Sequence, residues 1–530
     1  MKRTPILHPF LFSLFPLIAL YAYNIKRVPV PLRDLAGPLA LSLAFAVMLY
    51  FAIRIVLKDG VKAGLLVTLL VLWFLSFGHI SALVVGGAKG AFGRSFFLAT
   101  FLLLGLAAFF ILRSRRDWSG LTRVLNVVAA ALVLFNVASI VQASARRPRV
   151  FVSPVIKTSG PAASRPNIYY IVLDAYTRAD VLEEVFSFDN SGFLSDLEAR
   201  GFAVASESYA NYGWTYHSLA SSLNMDYLDD VAKKIRGTTA NQEPLYRMIQ
   251  ENRAMAFLKS QGYEILCFSS SVKPGDIKDV DASLGFAGAS SEFLSALLNT
   301  TPLPLLFNLK AVSSTYGAHR AHVLDAFRAL EESPARKGPF FFFVHLMSPH
   351  PPFVFDPDGE PAEPGYLFSL VDADRLHGGD EAAVREYVVG YREQVAFLNK
   401  KILRAVDAIL GRSPQPPIVI LQGDHGSRAY ANLDRPEACY LKENLAILNA
   451  YFLPGEPRAL VYPRISPVNT FRLVFSQYFR AGLELIEDRS AWCTWQRPYS
   501  FFPFDDSSYE ASVDSVRAAT KPVAPIVQRR

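Results

Sequence analysis

RPNIYYIVLDAYTR, residues 165–178, is an almost unbroken run of β-branched, aromatic and aliphatic side chains that stops on a carboxylate, Asp174. A strand apolar on both faces belongs in the middle of a parallel sheet covered by helices on each side. The pattern recurs downstream. An amphipathic helix over Glu243–Gln261 leads into a strand over Tyr263–Phe268. A helix over His319–Glu332 leads into PFFFFVH, Pro339–His345. A long helix within Glu381–Leu410 leads, past Pro416 and Pro417, into a strand over Ile418–Leu421. A strand over Leu445–Leu453 and a helix over Val468–Phe479 follow. Strands alternating with helices predict an α/β domain with a mostly parallel central sheet.

Sites in such sheets gather at the carboxyl ends of the strands. Asp174 ends the first strand, His345 and His350 follow the Pro339 strand, and Asp424 and His425 follow Ile418–Leu421. Three strands therefore end in metal-ligand residue types. In QGDHGS, Gln422–Ser427, the adjacent Asp424 and His425 can reach one divalent cation, and Gly423 and Gly426 allow a tight backbone approach. The bland alternative is a solvated turn. Asp174 needs a partner at the end of a buried strand; its bland role is a helix N-cap. In NYGWTYHSLASSLNM, residues 211–225, Thr215 sits where a glycine-containing turn meets a helix starting near Tyr216. A hydroxyl there suits an anionic ester, since free N–H groups and the dipole favour negative charge; the bland role is again an N-cap. HLMSPHPPF, residues 345–353, offers His350 for substrate phosphate or leaving-group chemistry, with His345 standing behind it. His217 and Arg428 are further candidates for supporting the site or touching substrate.

Upstream, the composition changes. The chain has 530 residues, 51% hydrophobic and 19% charged, and the apolar residues concentrate before residue 145. Five runs approach the roughly 20 residues needed to cross a bilayer: Ile6–Ile25, Leu35–Leu57, Ala63–Val85, Phe96–Leu112 and Val124–Val141. The predicted organisation is a membrane domain over 1–143 with about five transmembrane helices, a linker over 144–166, a catalytic domain over 167–485 and a C-terminal extension over 486–530. With the N-terminus in the cytoplasm, the inside segments carry nine Lys and Arg, the outside loops five, or eight when Arg146, Arg147 and Arg149 are added. Positive charge thus leans slightly towards that orientation, which places the large domain outside the cytoplasm. The net charge of +7 comes without a basic run interleaved with aromatics, so nucleic-acid binding is not expected. Cys267, Cys439 and Cys493 form no CxxC pair, which argues against a structural zinc site. Apart from Arg54, spans two to five lack internal charges and show no inverted repeat, which argues against transport.

The ordered set RPNIYYIVLDAYTR, T-x-x-S-L-A-S-S-L-N-M, HLMSPHPPF and VILQGDHGS resembles the alkaline phosphatase/sulfatase superfamily. Tyr391–Leu410, Asn449–Gly455 and Val468–Arg472 are also similar to family segments, so the resemblance covers about residues 165–485. With five spans, the chain looks like the lipoteichoic acid synthases and the lipid A phosphoethanolamine transferases. That resemblance implies one divalent metal held by an acidic residue, a threonine and an Asp-His pair, here Asp174, Thr215, Asp424 and His425. It implies Thr215 as the nucleophile of a phospho-threonine intermediate and His350 as the substrate-contacting histidine. The donor set suits Zn²⁺ or Mn²⁺, with Mg²⁺ or Ca²⁺ compatible. Sulfatases carry a Cys/Ser-x-Pro-x-Arg stretch; here Tyr216 and His217 follow Thr215, with no cysteine near. The many disulfides of phosphoethanolamine transferases are also beyond three cysteines.

The expected function is metal-dependent transfer or hydrolysis of a phosphate ester at the plasma (inner) membrane, outside the cytoplasm. A membrane lipid or envelope glycan would be the substrate. The competing readings are a phosphodiesterase or sulfatase-type hydrolase of soluble esters, and a non-catalytic binding or sensor domain.

Overall fold

A computed structural model describes the chain except residues 1–3, 27–29, 31, 86–90, 146–155, 161–164, 236–238, 269–272, 286–292, 294–296, 299, 304–309, 363–380, 434–439, 456 and 506–530. It divides into two compact units: Met1–Pro148 with Ser290–Ser314 and Gly365–Phe368, and the remainder.

The first unit is helical, with α1 (His8–Asn24), α2 (Leu32–Leu57), α3 (Gly60–Val85), α4 (Ala91–Arg113) and α5 (Ser119–Ala145). Four of them contain stretches long and apolar enough to cross a membrane: Asp34–Leu57, Gly60–Ser81, Ser95–Arg113 and Ser119–Ala143. The fourth and fifth runs, short in sequence, extend into their flanks as helix. The first run does not: α1 has 17 residues and a proline at position 16. At 1.5 Å per residue it spans about 25 Å, less than a hydrocarbon core of about 30 Å. Its core is built from Leu17, Tyr21, Ala46, Tyr50, Val67 and Val71, joined by Phe293 and Leu297 from the Ser290–Ser314 stretch. The Gly78 N–H also donates to the Thr300 carbonyl at 2.8 Å.

The second unit is α/β. Its main sheet uses β1 (Ile168–Leu173), β2 (Ala203–Val204), β3 (Glu264–Phe268), β4 (Ala282–Leu284), β5 (Phe340–Leu346), β6 (Ile418–Gly423) and β7 (Asn449–Phe452). The spatial order is β2-β7-β6-β1-β5-β3-β4. The five strands from β6 to β4 run parallel, and β7 is antiparallel to both its neighbours. β1, β5 and β6 are buried at every position, as their unbroken apolar sequences require. A small hairpin of β8 (Ser490–Trp492) and β9 (Phe502–Phe504) lies outside this sheet.

The helices are α6 (Ala179–Phe186), α7 (Ser191–Ala199), α8 (Thr215–Ser222), α9 (Asp229–Ile235), α10 (Glu243–Gln250), α11 (Arg253–Ser260), α12 (Lys310–Glu332), α13 (Glu381–Arg412), α14 (Leu441–Leu445) and α15 (Pro467–Phe479). The expected helix over Glu243–Gln261 is two, broken where the Asn252 side chain caps α11 by accepting from Met255 N at 2.8 Å. The expected strand over Leu445–Leu453 shrinks to β7, because α14 occupies its first position. Phe471 of α15 packs on Tyr170 at 5.1 Å and on Phe341 at 5.9 Å. On α13, Tyr391 stacks on Phe186 at 4.5 Å.

Register places the chemistry. Leu173 pairs with Leu346 on one side and with Gly423 on the other. Asp174 and Asp424 are therefore the next residues beyond a paired rung. His345 faces Val172, one rung earlier.

Candidate active site

Asp174, Asp424 and His425 converge at the carboxyl ends of β1 and β6. One ligand atom from each lies within 4.8 Å of the other two. His425 Nε2 is 3.5 Å from Asp174 Oδ1 and 3.8 Å from Asp424 Oδ2. His425 Nδ1 meets the Gly426 carbonyl at 2.8 Å, an oxygen that can only accept, so the proton sits on Nδ1. Nε2 is left with its lone pair facing the carboxylates.

The bland roles for these residues are not what the structure shows. α6 starts at Ala179 with Arg178 as its N-cap, so Asp174 caps nothing. The N-cap of α8 is Trp214, in an extended conformation. Thr215 is the first helical residue, and its Oγ1 lies 3.3 Å from His425 Nε2. Because that nitrogen has no proton, the hydroxyl donates. Ser218, one turn on, ties the helix to the Asp424–His425 corner by donating to the Asp424 carbonyl at 2.5 Å.

The residues fit a divalent cation. Asp424 Oδ1 accepts from Ala175 N at 3.1 Å and His425 N at 2.9 Å. Asp424 Oδ2 and Asp174 Oδ1 are buried and accept no hydrogen bond from the described residues. An orphaned carboxylate oxygen inside a protein is costly, and a metal removes the cost. Electrostatics agree. Burial, then the charge of Asp424, push the Asp174 carboxyl well above the ordinary carboxylate range. Burial also opposes charge on Asp424, but His425, His345 and the Ala175 N–H hold its carboxyl below that range. Two carboxylates this close cannot both ionise without a compensating cation.

Two glycines make the corner. A Cβ on Gly423 would lie 2.5 Å from the Tyr176 carbonyl oxygen, and one on Gly426 would collide with that of Glu443. Ala175 takes the left-handed conformation at φ 65°. Tyr391 braces that turn, donating to the Ala175 carbonyl at 2.7 Å and accepting from Thr177 N at 3.0 Å.

The remaining candidates divide. His345 backs the carboxylates, with Nε2 3.6 Å from Asp174 Oδ2 and 3.9 Å from Asp424 Oδ2. His350 is held by its backbone, whose N–H donates to the Asp174 carbonyl at 2.9 Å, and its ring lies 6.3 Å from that of His425. Burial, then His425, push its imidazole down to about 3. Its Nδ1 donates to Pro351 O at 2.6 Å, leaving Nε2 as an acceptor. His217 is outside the site: two residues on a helix turn about 200°, so it points away from the Thr215 side. It is buried 2.6 Å from Pro498 O and 3.6 Å from Cys493 Sγ. Arg428 is a brace: its guanidinium donates to Gly213 O at 2.5 Å and lies 3.9 Å over the Trp214 ring. Within the C-terminal extension, the described residues 486–505 form the wall behind this turn, and 506–530 lie outside the described residues. Trp214 Nε1 donates to Cys493 O at 2.8 Å and Tyr209 packs on Phe504 at 5.4 Å. Cys267 and Cys493 are buried and form no disulfide among the described residues; Cys439 lies outside them.

Sequence reading passed over Glu443 and Asn444 and took Tyr391 only as the start of a family-like segment; all three are fully buried beside the site. None belongs to a short motif; a buried Glu in an otherwise unremarked segment was the available signal.

No protein-family model matches the sequence, and no curated protein matches it. Solved structures do. The C-terminal periplasmic domain of EptC from Escherichia coli is 12% identical, covering 68% of this chain and 99% of that one, with a TM-score of 0.44. The soluble domain of lipooligosaccharide phosphoethanolamine transferase A from Neisseria meningitidis is 15% identical, covering 60% and 89%, at 0.37. A putative sulfatase, yidJ, from Bacteroides fragilis is 14% identical, covering 62% and 77%, at 0.39.

Proposed function

We propose that the chain is a membrane-anchored, metal-dependent enzyme that transfers or hydrolyses a phosphate ester through Thr215. One observation carries this: the Thr215 hydroxyl meets the lone pair of His425 Nε2 beside two buried oxygens, of Asp174 and Asp424, that accept no hydrogen bond from the described residues. An N-cap threonine, a solvated turn or a structural carboxylate would not produce that convergence.

Asp174, Thr215, Asp424 and His425 would hold one divalent cation. Bound there, it supplies positive charge to the anionic ester and to the hydroxyl facing it. Zn²⁺ or Mn²⁺ suits three oxygens and one imidazole. The chain's own residues do the rest. The N-terminus of α8, where Thr215 sits, would turn the positive end of the helix dipole towards the ester oxygens. Thr215 Oγ1 attacks phosphorus as the bond to the leaving alcohol breaks, and a second hydroxyl or water then releases the phosphothreonine. His350, neutral in the free protein, offers Nε2 to receive and pass on the threonine proton.

Four long apolar helices support a bilayer as the setting and a lipid or envelope glycan as substrate. The extracytoplasmic placement of the domain rests on α1 crossing as a fifth span. Protease protection in sealed cells tests it: cleavage from outside is expected.

The main test uses the full-length protein in detergent, wild type and Thr215→Ala, with Zn²⁺ or Mn²⁺ and nitrophenyl phosphodiester, phosphomonoester and sulfate ester. Metal-dependent phosphoester cleavage lost in Thr215→Ala is expected. Preferential sulfate turnover, or full activity without the hydroxyl, would sink the reading.

A further inference from the structure

YLKENLA, Tyr440–Ala446, carries no catalytic residue type in a known pattern, yet it touches the loops after β1 and β6 and the turn before α8. The Glu443 carboxylate is fully buried and makes no ion pair among the described residues. It instead accepts from Ser427 Oγ at 2.9 Å, Ala429 N and Tyr430 N at 2.8 Å. These donors flank Arg428. The next residue repeats the logic. The Asn444 carbonyl accepts from Gly426 N at 2.6 Å. Its amide, oriented to satisfy both neighbours, donates to Gly213 O at 3.2 Å and accepts from Arg428 Nε at 3.1 Å. On the far side, the Glu443 and Ala446 carbonyls accept from Thr177 Oγ1 at 3.2 and 3.0 Å. Thus α14 ties together the loops after β1 and β6 and the turn before α8.

We propose that Glu443 is a positioning residue for the reaction at Thr215, an inference that rests on Thr215 being the nucleophile. It grips residues 427–430 and fixes Arg428, whose guanidinium carries the Gly213–Trp214 turn. That turn delivers Thr215 as the first residue of α8. The metal ligands are set otherwise, by the β1–β6 register and by hydrogen bonds to Asp424 and His425. Glu443 therefore sets where Oγ1 sits relative to the ligands, and not the ligands themselves. A carboxylate is needed because it only accepts, with about four lone-pair sites. Glutamine in its place turns an NH₂ towards at least one of the three donors.

The test is Glu443→Gln in the full-length protein, read in two ways. With 5-fluorotryptophan labelling, the Trp214 resonance is identified by its loss in Trp214→Phe. Glu443→Gln should shift or broaden it while Trp73 and Trp118 stay put, and Ser427→Ala, which removes one donor, should move it less. This readout needs no turnover, so it decides the proposal even if no ester is cleaved. Kinetically, kcat should fall about 10–100-fold, in line with a misplaced nucleophile, with KM and zinc affinity nearly unchanged. In an Arg428→Lys background the same substitution should add little, since both act through one contact. An unmoved Trp214 signal overturns the proposal. So does a loss additive with Arg428→Lys, or one that only tracks the unfolded fraction. Failure of the Thr215 reading looks different: Thr215→Ala would stay active.

Discussion

Thr215 Oγ1 and His425 Nε2 face each other across 3.3 Å, although 210 residues separate them in sequence. One is the first residue of a helix, the other the second residue past a strand, and neither could reach the other without the sheet between. If the hydroxyl is the nucleophile, removing its oxygen removes the reaction. Thr215→Ala should lower kcat at least about 10³-fold, leave zinc bound through three ligands, and abolish the phosphothreonine seen by mass spectrometry of a quenched reaction. Thr215→Ser should retain part of the rate.

Asp174 sets the stability of the metal-free protein. Its folded carboxyl holds a proton to higher pH than the unfolded one, whose value is about 3.9. As pH rises above that value, the unfolded chain ionises first and the equilibrium moves towards unfolding. The chelated wild type should therefore lose stability as pH rises from about 4 towards neutrality. Asp174→Asn should flatten that dependence and melt no lower than wild type in chelator. Zinc at a thousandfold excess over Kd should stabilise the wild type by about 4 kcal/mol and the variant far less. Thermal melts with and without zinc at several pH values check both halves.

His350 is neutral across the working range, with its imidazole pushed down to about 3 and Nδ1 committed to Pro351 O. The kcat/KM profile should thus show no acid limb from this residue between about pH 5 and 7. His350→Gln, which keeps a neutral polar group, should lose less than His350→Ala, for which about 10²-fold or more is expected. A limb that disappears in His350→Gln would contradict the assignment.

Gly426 is the tightest point of the corner, since a Cβ there meets two backbone carbonyl oxygens, those of Glu443 and Ala446. Backbone cannot step aside as a flexible side chain can. Gly426→Ala should cost about 1–3 kcal/mol or more and displace His425, so zinc affinity should fall together with the melting temperature. Gly411, with open space around it, is the control: its alanine variant should bind zinc normally.

The strands and the ligands at their ends were legible because burial and chemistry both leave local marks: an apolar run, then a carboxylate or imidazole. Asp174, Asp424 and His425 stood out that way, and Thr215 by its place where a glycine-containing turn meets a helix. His217, a further candidate from its place beside Thr215, is turned the other way, because two residues of helix reverse a side chain's direction. Glu443 and Asn444 were invisible because bracing is a tertiary relation: a five-residue helix has no period to read, and its partners lie at 177, 213 and 426–430. The division of Glu243–Gln261 was legible in principle, since Asn252 is a strong N-cap residue inside the run.

β1 lies between β5 and β6, pairing Ile168 with Phe341 on one side and Ile418 on the other. It is made first, and both of its neighbours come much later in the chain. At about 5–20 residues per second, the ribosome needs on the order of ten seconds or more to supply the second neighbour. Until β5 arrives IYYIVL is an apolar ribbon with both edges unpaired, and until β6 arrives one edge stays open, the kind of segment that seeks other chains. The same long-range pairings make folding slow once synthesis ends. Biogenesis of this protein should therefore depend on a holding chaperone wherever the domain folds, and depletion of that chaperone should produce aggregates while the catalytic chemistry of molecules already folded stays intact.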